Sequence, residues 1–240
     1  MVEVLVAVAI ILALALLVFT AMNKGQKAAT SASTLNRLRD IGVASAGYMG
    51  DNNLFFPPAW DNTEGRNRSY AQVLDEYIHG RTPYREPDSK FIGPNARLPL
   101  RVNPYSHPIT FTMNRAIGRD ITDYGGVAED SIHATQVERT NEVILFADGC
   151  QNPRNLNQAN ASAYRLFFAI GETGSRSDFD EPVPVGPDRD TRAGDGWVRY
   201  ADGKCHALMV DGSARTFNKG SMTRRNLWLD RVREPDLAGE

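Results

Sequence analysis

The first 22 residues of the chain are apolar at nearly every position, and Glu3 is the only charged residue among them. No Gly or Pro interrupts the stretch from Val4 to Met22. Its nineteen residues would form a helix of about 28 Å at ~1.5 Å per residue, close to the ~30 Å thickness of a bilayer's hydrocarbon core. The pattern predicts a helix that is surrounded by lipid or by other helices, so residues 1–22 are expected to form a transmembrane or helix-bundle-core segment.

The helical pattern then changes character and continues to about residue 53. Apolar residues recur at three- and four-residue steps, while lysines, arginines and Asp40 take the other positions. The recurring positions are Leu35, Leu38, Ile41, Ala44 or Ser45, and Tyr48. Residues 23–53 are therefore predicted to continue the same helix in amphipathic form, ending by Asp51-Asn52-Asn53.

Residues 54–240 have the pattern of a globular α+β domain. A short amphipathic helix is predicted at 69–80, and long polar loops are predicted at 81–108 and 171–196. Asp211-Gly212 predicts a tight turn. The predicted strands are 142–147, 165–170, 197–200, 205–210 and 213–217. The expected fold is a long N-terminal helix packed on a C-terminal antiparallel sheet.

Charge and motifs narrow the class of function. Apart from Glu3, the chain carries 27 basic and 28 acidic residues with no basic cluster, which argues against nucleic-acid binding. A nucleophile elbow, a phosphate-binding glycine loop, His-Glu-x-x-His and paired catalytic acids are absent in any convincing context. We therefore expect a protein that is not an enzyme.

The apolar segment has three interpretations. A secretory signal peptide needs a basic n-region, but no Lys or Arg precedes Lys24. A plain membrane anchor fits the length and gives no reason for Glu3, whose charge costs several kcal/mol in an apolar helix unless it is paired. In the third interpretation, Glu3 pairs with a cationic group of another chain.

Residues 1–11, Met-Val-Glu-Val-Leu-Val-Ala-Val-Ala-Ile-Ile, resemble the N-terminus of type IV pilins and type II secretion pseudopilins. In that family a prepilin peptidase cuts after a Gly, the new N-terminal residue is usually an N-methylated Phe, and the fifth mature residue is Glu. The match places Glu3 on that Glu, which implies that this chain begins two residues inside the family's mature start.

Residues 36–58 make the resemblance more specific, because a helix ending in Tyr-Met-Gly-Asp-Asn-Asn leads to Phe-Phe-Pro-Pro. This segment resembles the long prepilin-like proteins of planctomycetes and verrucomicrobia. Their C-terminal signature is a His, nine residues and Asp-Gly. Here Asp211-Gly212 is present, Ala201 stands at the His position, and four residues separate His206 from the Asp. The signature is therefore degenerate.

The resemblance implies the pilin fold and a homopolymeric helical filament, extracellular or periplasmic, whose subunit is first stored in the inner membrane. The implied partners are other copies of this chain, prepilin peptidase and the assembly machinery. Glu3 would pair with a neighbour's N-terminal amine. The helix would pack through Val4, Leu5, Val8, Ile11, Leu12, Ala15 and Leu16.

Two alternatives remain open. One is a pseudopilin of a type II secretion system, and the other is a membrane-anchored periplasmic binding protein or enzyme that does not polymerise. Many pilins carry a Pro in the apolar helix, whereas the first 56 residues here contain none. The helix is therefore expected to be more continuous than in those pilins.

Two cysteines and one acidic loop are candidates for further sites. Cys150 follows one predicted strand and Cys205 opens another, so antiparallel pairing would bring them to the same end of the sheet. In an oxidising compartment a disulfide is then favoured over two separate buried thiols. The loop with Asp188, Asp190 and Asp195 resembles a calcium site only loosely, since it lacks the ligand spacing of an EF-hand. A solvated loop is favoured there, and no other cofactor is expected.

Overall fold

In the computed structural model, a single α-helix, α1, runs from Val2 to Asp51 without a break. Its fifty residues span about 75 Å at ~1.5 Å per residue. Beyond Asp51, Asn53 and Leu54 adopt positive φ angles of 50° and 63°, and the Leu54 amide donates to the Met49 carbonyl at 2.8 Å. This left-handed cap satisfies a carbonyl of the last turn, so the predicted helix end at 51–53 is confirmed. The structure describes residues 2–62, 68–79, 90–94, 109–114, 116–118, 120–122, 131–149, 165–166, 180–183 and 198–227.

The remaining elements form a second helix and two small sheets. In chain order the elements are β1 (Trp60–Asn62), β2 (Arg68–Ser69), α2 (Tyr70–His79), β3 (Phe111–Asn114), β4 (Asp120–Thr122), β5 (Ile144–Asp148), β6 (Arg165–Leu166), β7 (Lys204–Met209) and β8 (Ala214–Asn218). Strands β2, β1 and β4 make a three-stranded sheet in that order, and the second sheet has the order β6-β3-β5-β7-β8. Neighbours in the second sheet are antiparallel except β3 and β6, which are parallel. The fold is α+β, as predicted.

Most predicted elements lie within two residues of the observed ones. The helix at 69–80 corresponds to α2, and the strands at 142–147, 205–210 and 213–217 correspond to β5, β7 and β8. Of the strand predicted at 165–170, the described residues form β6. The strand predicted at 197–200 is wrong over its described residues, since Val198 makes only an isolated bridge to Gly149. The predicted loops at 81–108 and 171–196 lie mostly outside the described residues.

The second half of α1 packs on the five-stranded sheet and on α2. Leu38 and Ile41 are fully buried, as the periodicity predicts, whereas Leu35 and Tyr48 are half-buried. Thr34 is buried instead of Leu35, and its hydroxyl donates to the Thr30 carbonyl at 2.8 Å. The buried stripe of α1 comprises Thr34, Leu38, Ile41, Ala44 and Ser45. It therefore begins one position earlier than the sequence pattern suggests.

Alternation along β7 assigns its side chains to two faces of the sheet. Leu208 belongs to the hydrophobic cluster between the sheet and the two helices. Cys205, Ala207 and Met209 belong to a second cluster on the opposite face, because successive strand side chains point in opposite directions. A Cβ added at Gly42 of α1 would lie 3.1 Å from Leu208 Cδ1. Glycine thus allows α1 to approach β7 closely.

Candidate functional site

The first half of α1 makes almost no contact with the other residues that the structure describes. Between residues 2 and 22, fourteen large apolar side chains are each at least 48% exposed. Glu3 is exposed in the first turn of the helix. The predicted packing residues Val4, Leu5, Val8, Ile11, Leu12 and Leu16 are exposed too, and Ala15 is half-buried.

An apolar surface of this size needs a cover other than water. Burying one fully exposed large apolar side chain contributes about 1.5–3 kcal/mol, so fourteen side chains that are half to three-quarters exposed correspond to roughly 13–26 kcal/mol. That is as large as the whole net stability of an ordinary protein, ~5–15 kcal/mol, or larger. By length and composition α1 can cross a membrane, and its most apolar stretch is not buried inside the chain. Lipid or neighbouring helices can supply the cover.

A second feature lies where α1 meets the sheet domain. A cleft of about 830 Å³ separates residues 23–35 of α1 from residues 201–206. We refer to it as the stalk cleft. Lys24, Lys27 and Lys204 line it, and Lys27 Nζ lies 3.0 Å from the Asp202 carboxylate in an exposed ion pair. Apolar side chains complete the wall: Ala28, Ala32, Leu35 and Pro94.

A chain of hydrogen bonds runs from the stalk cleft into the core. Ser31 Oγ of α1 lies 2.6 Å from His206 Nε2 on β7. His206 Nδ1 lies 2.8 Å from Asp148 Oδ2 at the end of β5, and the His206 backbone amide donates to the same oxygen at 2.9 Å. Ser31 is half-buried, His206 is 3% exposed and Asp148 is fully buried. The three side chains thus form a Ser–His–Asp relay whose serine end faces the cleft.

The chemistry of the partners assigns the protons of this relay. A carboxylate only accepts hydrogen bonds, so Nδ1 must carry the proton that faces Asp148. In the neutral imidazole, Nε2 then accepts, and the Ser31 hydroxyl donates to it. This is the arrangement in which a histidine can take the proton of a serine nucleophile.

The aspartate end of the relay lies beside a buried cation and a buried thiol. Arg199 is 2% exposed, and its backbone amide donates to the Asp148 carbonyl at 2.9 Å. Burial raises the pKa of the Cys205 thiol well above its ordinary value, and the Asp148 charge raises it further, while Arg199 acts in the opposite direction. Cys205 is therefore a neutral thiol at physiological pH.

The other predicted sites, the disulfide and the calcium loop, lie wholly or partly outside the described residues. Cys205 carries a free, buried thiol, and its predicted disulfide partner Cys150 lies outside the described residues. The calcium candidates Asp188, Asp190 and Asp195 lie outside them as well. Among the residues that the structure describes, no group of three His, Cys, Asp or Glu side chains is arranged to hold a metal ion.

Sequence reasoning missed the relay. It noted His206 only as a displaced motif residue, and it assigned no role to Ser31 or Asp148. The partners of His206 are 58 and 175 residues away along the chain, so no local motif connects them. One usable signal was the spacing of Ser31 to Leu35 and Leu38, which places the serine on the packed side of α1.

The comparisons with known proteins add no relative. No family model matches the chain, and neither the curated proteins nor the solved structures include a significantly similar one.

Proposed function

We propose that this chain is a structural subunit of a type IV pilus-like filament and polymerises through the first half of α1. The observation that carries the proposal is the combination of an unbroken helix, apolar on all sides over residues 2–22, with one acidic residue at its head. A plain anchor needs the apolar surface, but it does not need the acid. The resemblance of residues 1–11 to pilins indicates the kind of assembly in which such a helix would function.

The energetics of the transfer from membrane to filament support this function. Lipid tails are as apolar as leucine, so moving the helix from lipid to a bundle of equivalent helices changes little hydrophobic free energy. Helix packing and charge pairing then determine whether the membrane or the filament is the more stable environment for the helix. Val4, Leu5 and Val8 are exposed and available for helix contacts. A head-to-tail contact whose rotation does not close generates a helical polymer.

Glu3 sets the register of neighbouring helices in this scheme. Its carboxylate meets the α-amine of an adjacent subunit, so that two charges are satisfied together in an apolar surrounding. A misaligned subunit would leave both charges unpaired, at a cost of about 3–5 kcal/mol. The charge therefore contributes specificity of alignment more than binding strength.

The subunit is stored in the inner membrane before assembly and is then part of an extracellular or periplasmic filament. As in the family it resembles, a prepilin peptidase and an assembly machinery would process and extrude it. The globular domain would cover the outside of the filament. A type II secretion pseudopilus would use the same helix in the same way.

Glu3→Gln tests the proposal in the source cells. The variant should still insert into the membrane and should lose assembly, because the neighbour's amine no longer meets a charge. Glu76→Gln is the matched control, since Glu76 is an exposed acid on α2, and it should assemble normally. Filaments sheared from the cells are counted by electron microscopy, and their subunit is identified by mass spectrometry. Normal filaments from Glu3→Gln cells, or a wild-type chain that remains monomeric in the membrane, would contradict the proposal.

A further inference from the structure

We infer that Ser31 is an activated nucleophile that takes the acyl group of a carboxylic ester bound in the stalk cleft. The inference rests on the distances of 2.6 Å and 2.8 Å that join Ser31, His206 and Asp148. It concerns a site within one subunit and does not depend on filament assembly. It departs from the sequence-based expectation that the chain is not an enzyme, because such a triad is recognised by geometry and not by sequence position.

The relay assigns a role to each of its members. Ser31 Oγ is the nucleophile, and His206 Nε2 accepts its proton as the general base. Asp148 is a positioning residue: it holds the Nδ1–H tautomer and stabilises the imidazolium that forms. Its oxygen also accepts the His206 backbone amide. Asp148 thereby holds both the ring and the backbone of His206, and Nε2 stays directed at Ser31.

The reaction uses only the ester and water. Ser31 Oγ attacks the carbonyl carbon, its proton moves to Nε2, and the carbonyl oxygen takes up the electron pair. Collapse of this tetrahedral species breaks the ester C–O bond, and the departing alcohol takes the proton from Nε2. Water then attacks the acyl-serine, Nε2 accepts the water proton and returns it to Ser31 Oγ, and the carboxylic acid leaves.

Ser31 lies within a helix, which limits how the developing negative charge is stabilised. The backbone amides of a helix interior are bonded to carbonyls one turn back and are not free to form an oxyanion hole. The cations of the cleft can serve instead. Lys27 lies four residues before Ser31 and Lys24 seven residues before it, so both are on the same side of α1, and Lys204 lines the opposite wall.

The lining also defines the class of ester. Three lysines against one aspartate, Asp202, favour an ester that carries an anionic group. The apolar wall formed by Ala28, Ala32 and Leu35 favours a short acyl chain. The cleft begins at Asn23, directly after the apolar segment of α1, so it lies close to any membrane that this segment occupies.

A fluorophosphonate probe tests the nucleophile on the full chain in detergent micelles. Attack by Ser31 forms an O–P bond and expels fluoride, and mass spectrometry locates the label. We expect labelling at Ser31 and none at Ser33, which lies about 200° further around the helix. Ser31→Ala should abolish the label. His206→Gln should slow labelling at least ~100-fold while keeping a native near-ultraviolet circular dichroism spectrum, because it removes the general base.

A second measurement follows turnover of 4-nitrophenyl butyrate and of its analogue with a carboxylate on the nitrophenyl ring. The wild type should favour the anionic ester in kcat/KM, and Lys204→Ala should reduce that preference several-fold. Asp148→Asn should lower kcat with little change in KM, since the imidazolium that forms during the reaction loses its carboxylate. Absence of a label at Ser31 in the folded wild type would overturn the inference. Equal labelling rates in the wild type and a folded His206→Gln variant would overturn it as well.

Discussion

Replacing Asp148 with alanine should destabilise the sheet domain more than any exposed acid does. Asp148 is fully buried, and its Oδ2 accepts two hydrogen bonds from His206, at 2.8 and 2.9 Å. Hydrogen bonds to a charged group contribute about 1.5–3 kcal/mol each, so the two bonds together correspond to about 3–6 kcal/mol. We therefore expect Asp148→Ala to lower the free energy of unfolding by about 3–6 kcal/mol.

Two further variants distinguish the stabilising effect of the buried Asp148 charge from the effect of its side-chain volume and from that of an exposed acid. Asp148→Asn keeps the size and one acceptor oxygen, so it should cost about half as much as the alanine variant. Asp40→Ala is the matched exposed control, because Asp40 also pairs with a basic residue, Lys90, but on the surface. Surface ion pairs contribute less than ~1 kcal/mol.

The assay is urea unfolding of the full chain in detergent micelles, followed by near-ultraviolet circular dichroism. With an m-value of about 2 kcal/mol/M, Asp148→Ala should lower the unfolding midpoint by about 2 M. The midpoint of the Asp40→Ala variant should stay within ~0.5 M of the wild type, given the same m-value. If the midpoints of Asp148→Ala and Asp40→Ala coincide, the buried relay contributes no stability and the reasoning is refuted.

Three further predictions concern buried positions and one exposed glycine. Gly118→Ala should cost about 1–3 kcal/mol in thermal unfolding, because its Cβ would lie 2.3 Å from the buried Met113 sulfur; unchanged stability would contradict this packing. Gly50→Ala has open space around it in α1 and should raise stability by up to ~1 kcal/mol, whereas a loss would contradict that view. Burial raises the pKa values of the Cys205 thiol and of Tyr200, the latter to about 12. The neutral forms of both groups stabilise the fold. This contribution is complete below the pKa values that the two groups have in the unfolded chain, near 9 and 10, and it decreases as pH rises further. Urea midpoints should then fall above about pH 9, and Cys205→Ala should flatten the first part of that decrease; a midpoint constant to pH 11 would refute it.

Local patterns predicted local structure well. The helix stripe with Leu38 and Ile41 was predictable because one face of α1 packs at helical spacing. The strand at 205–210 followed from its run of mostly apolar residues and from the turn at Asp211-Gly212, where Gly212 adopts a φ of 84°. In contrast, β3 (Phe111–Asn114) was not predicted, although its residues alternate between apolar and polar. All four are nevertheless buried, so the polar positions do not mark a face exposed to solvent.

The candidate site was predictable only in part, for a different reason. Glu3 and the apolar residues around it are adjacent in sequence, so their shared exposure on α1 follows from the chain alone. The relay of Ser31, His206 and Asp148 depends on how α1 lies against the paired strands β5 and β7. Such long-range pairing is a property of the folded chain, and no spacing in the sequence encodes it.

The continuity of α1 has a mechanical consequence. Since no flexible linker separates its exposed apolar half from its domain-facing half, a twist or tilt of one half turns the other with it. Inserting one residue near Asn23 would rotate Glu3 by about 100° and shift it by ~1.5 Å relative to the sheet domain. The direction in which the domain faces is therefore set by the phase of the helix, and neither half can turn without the other.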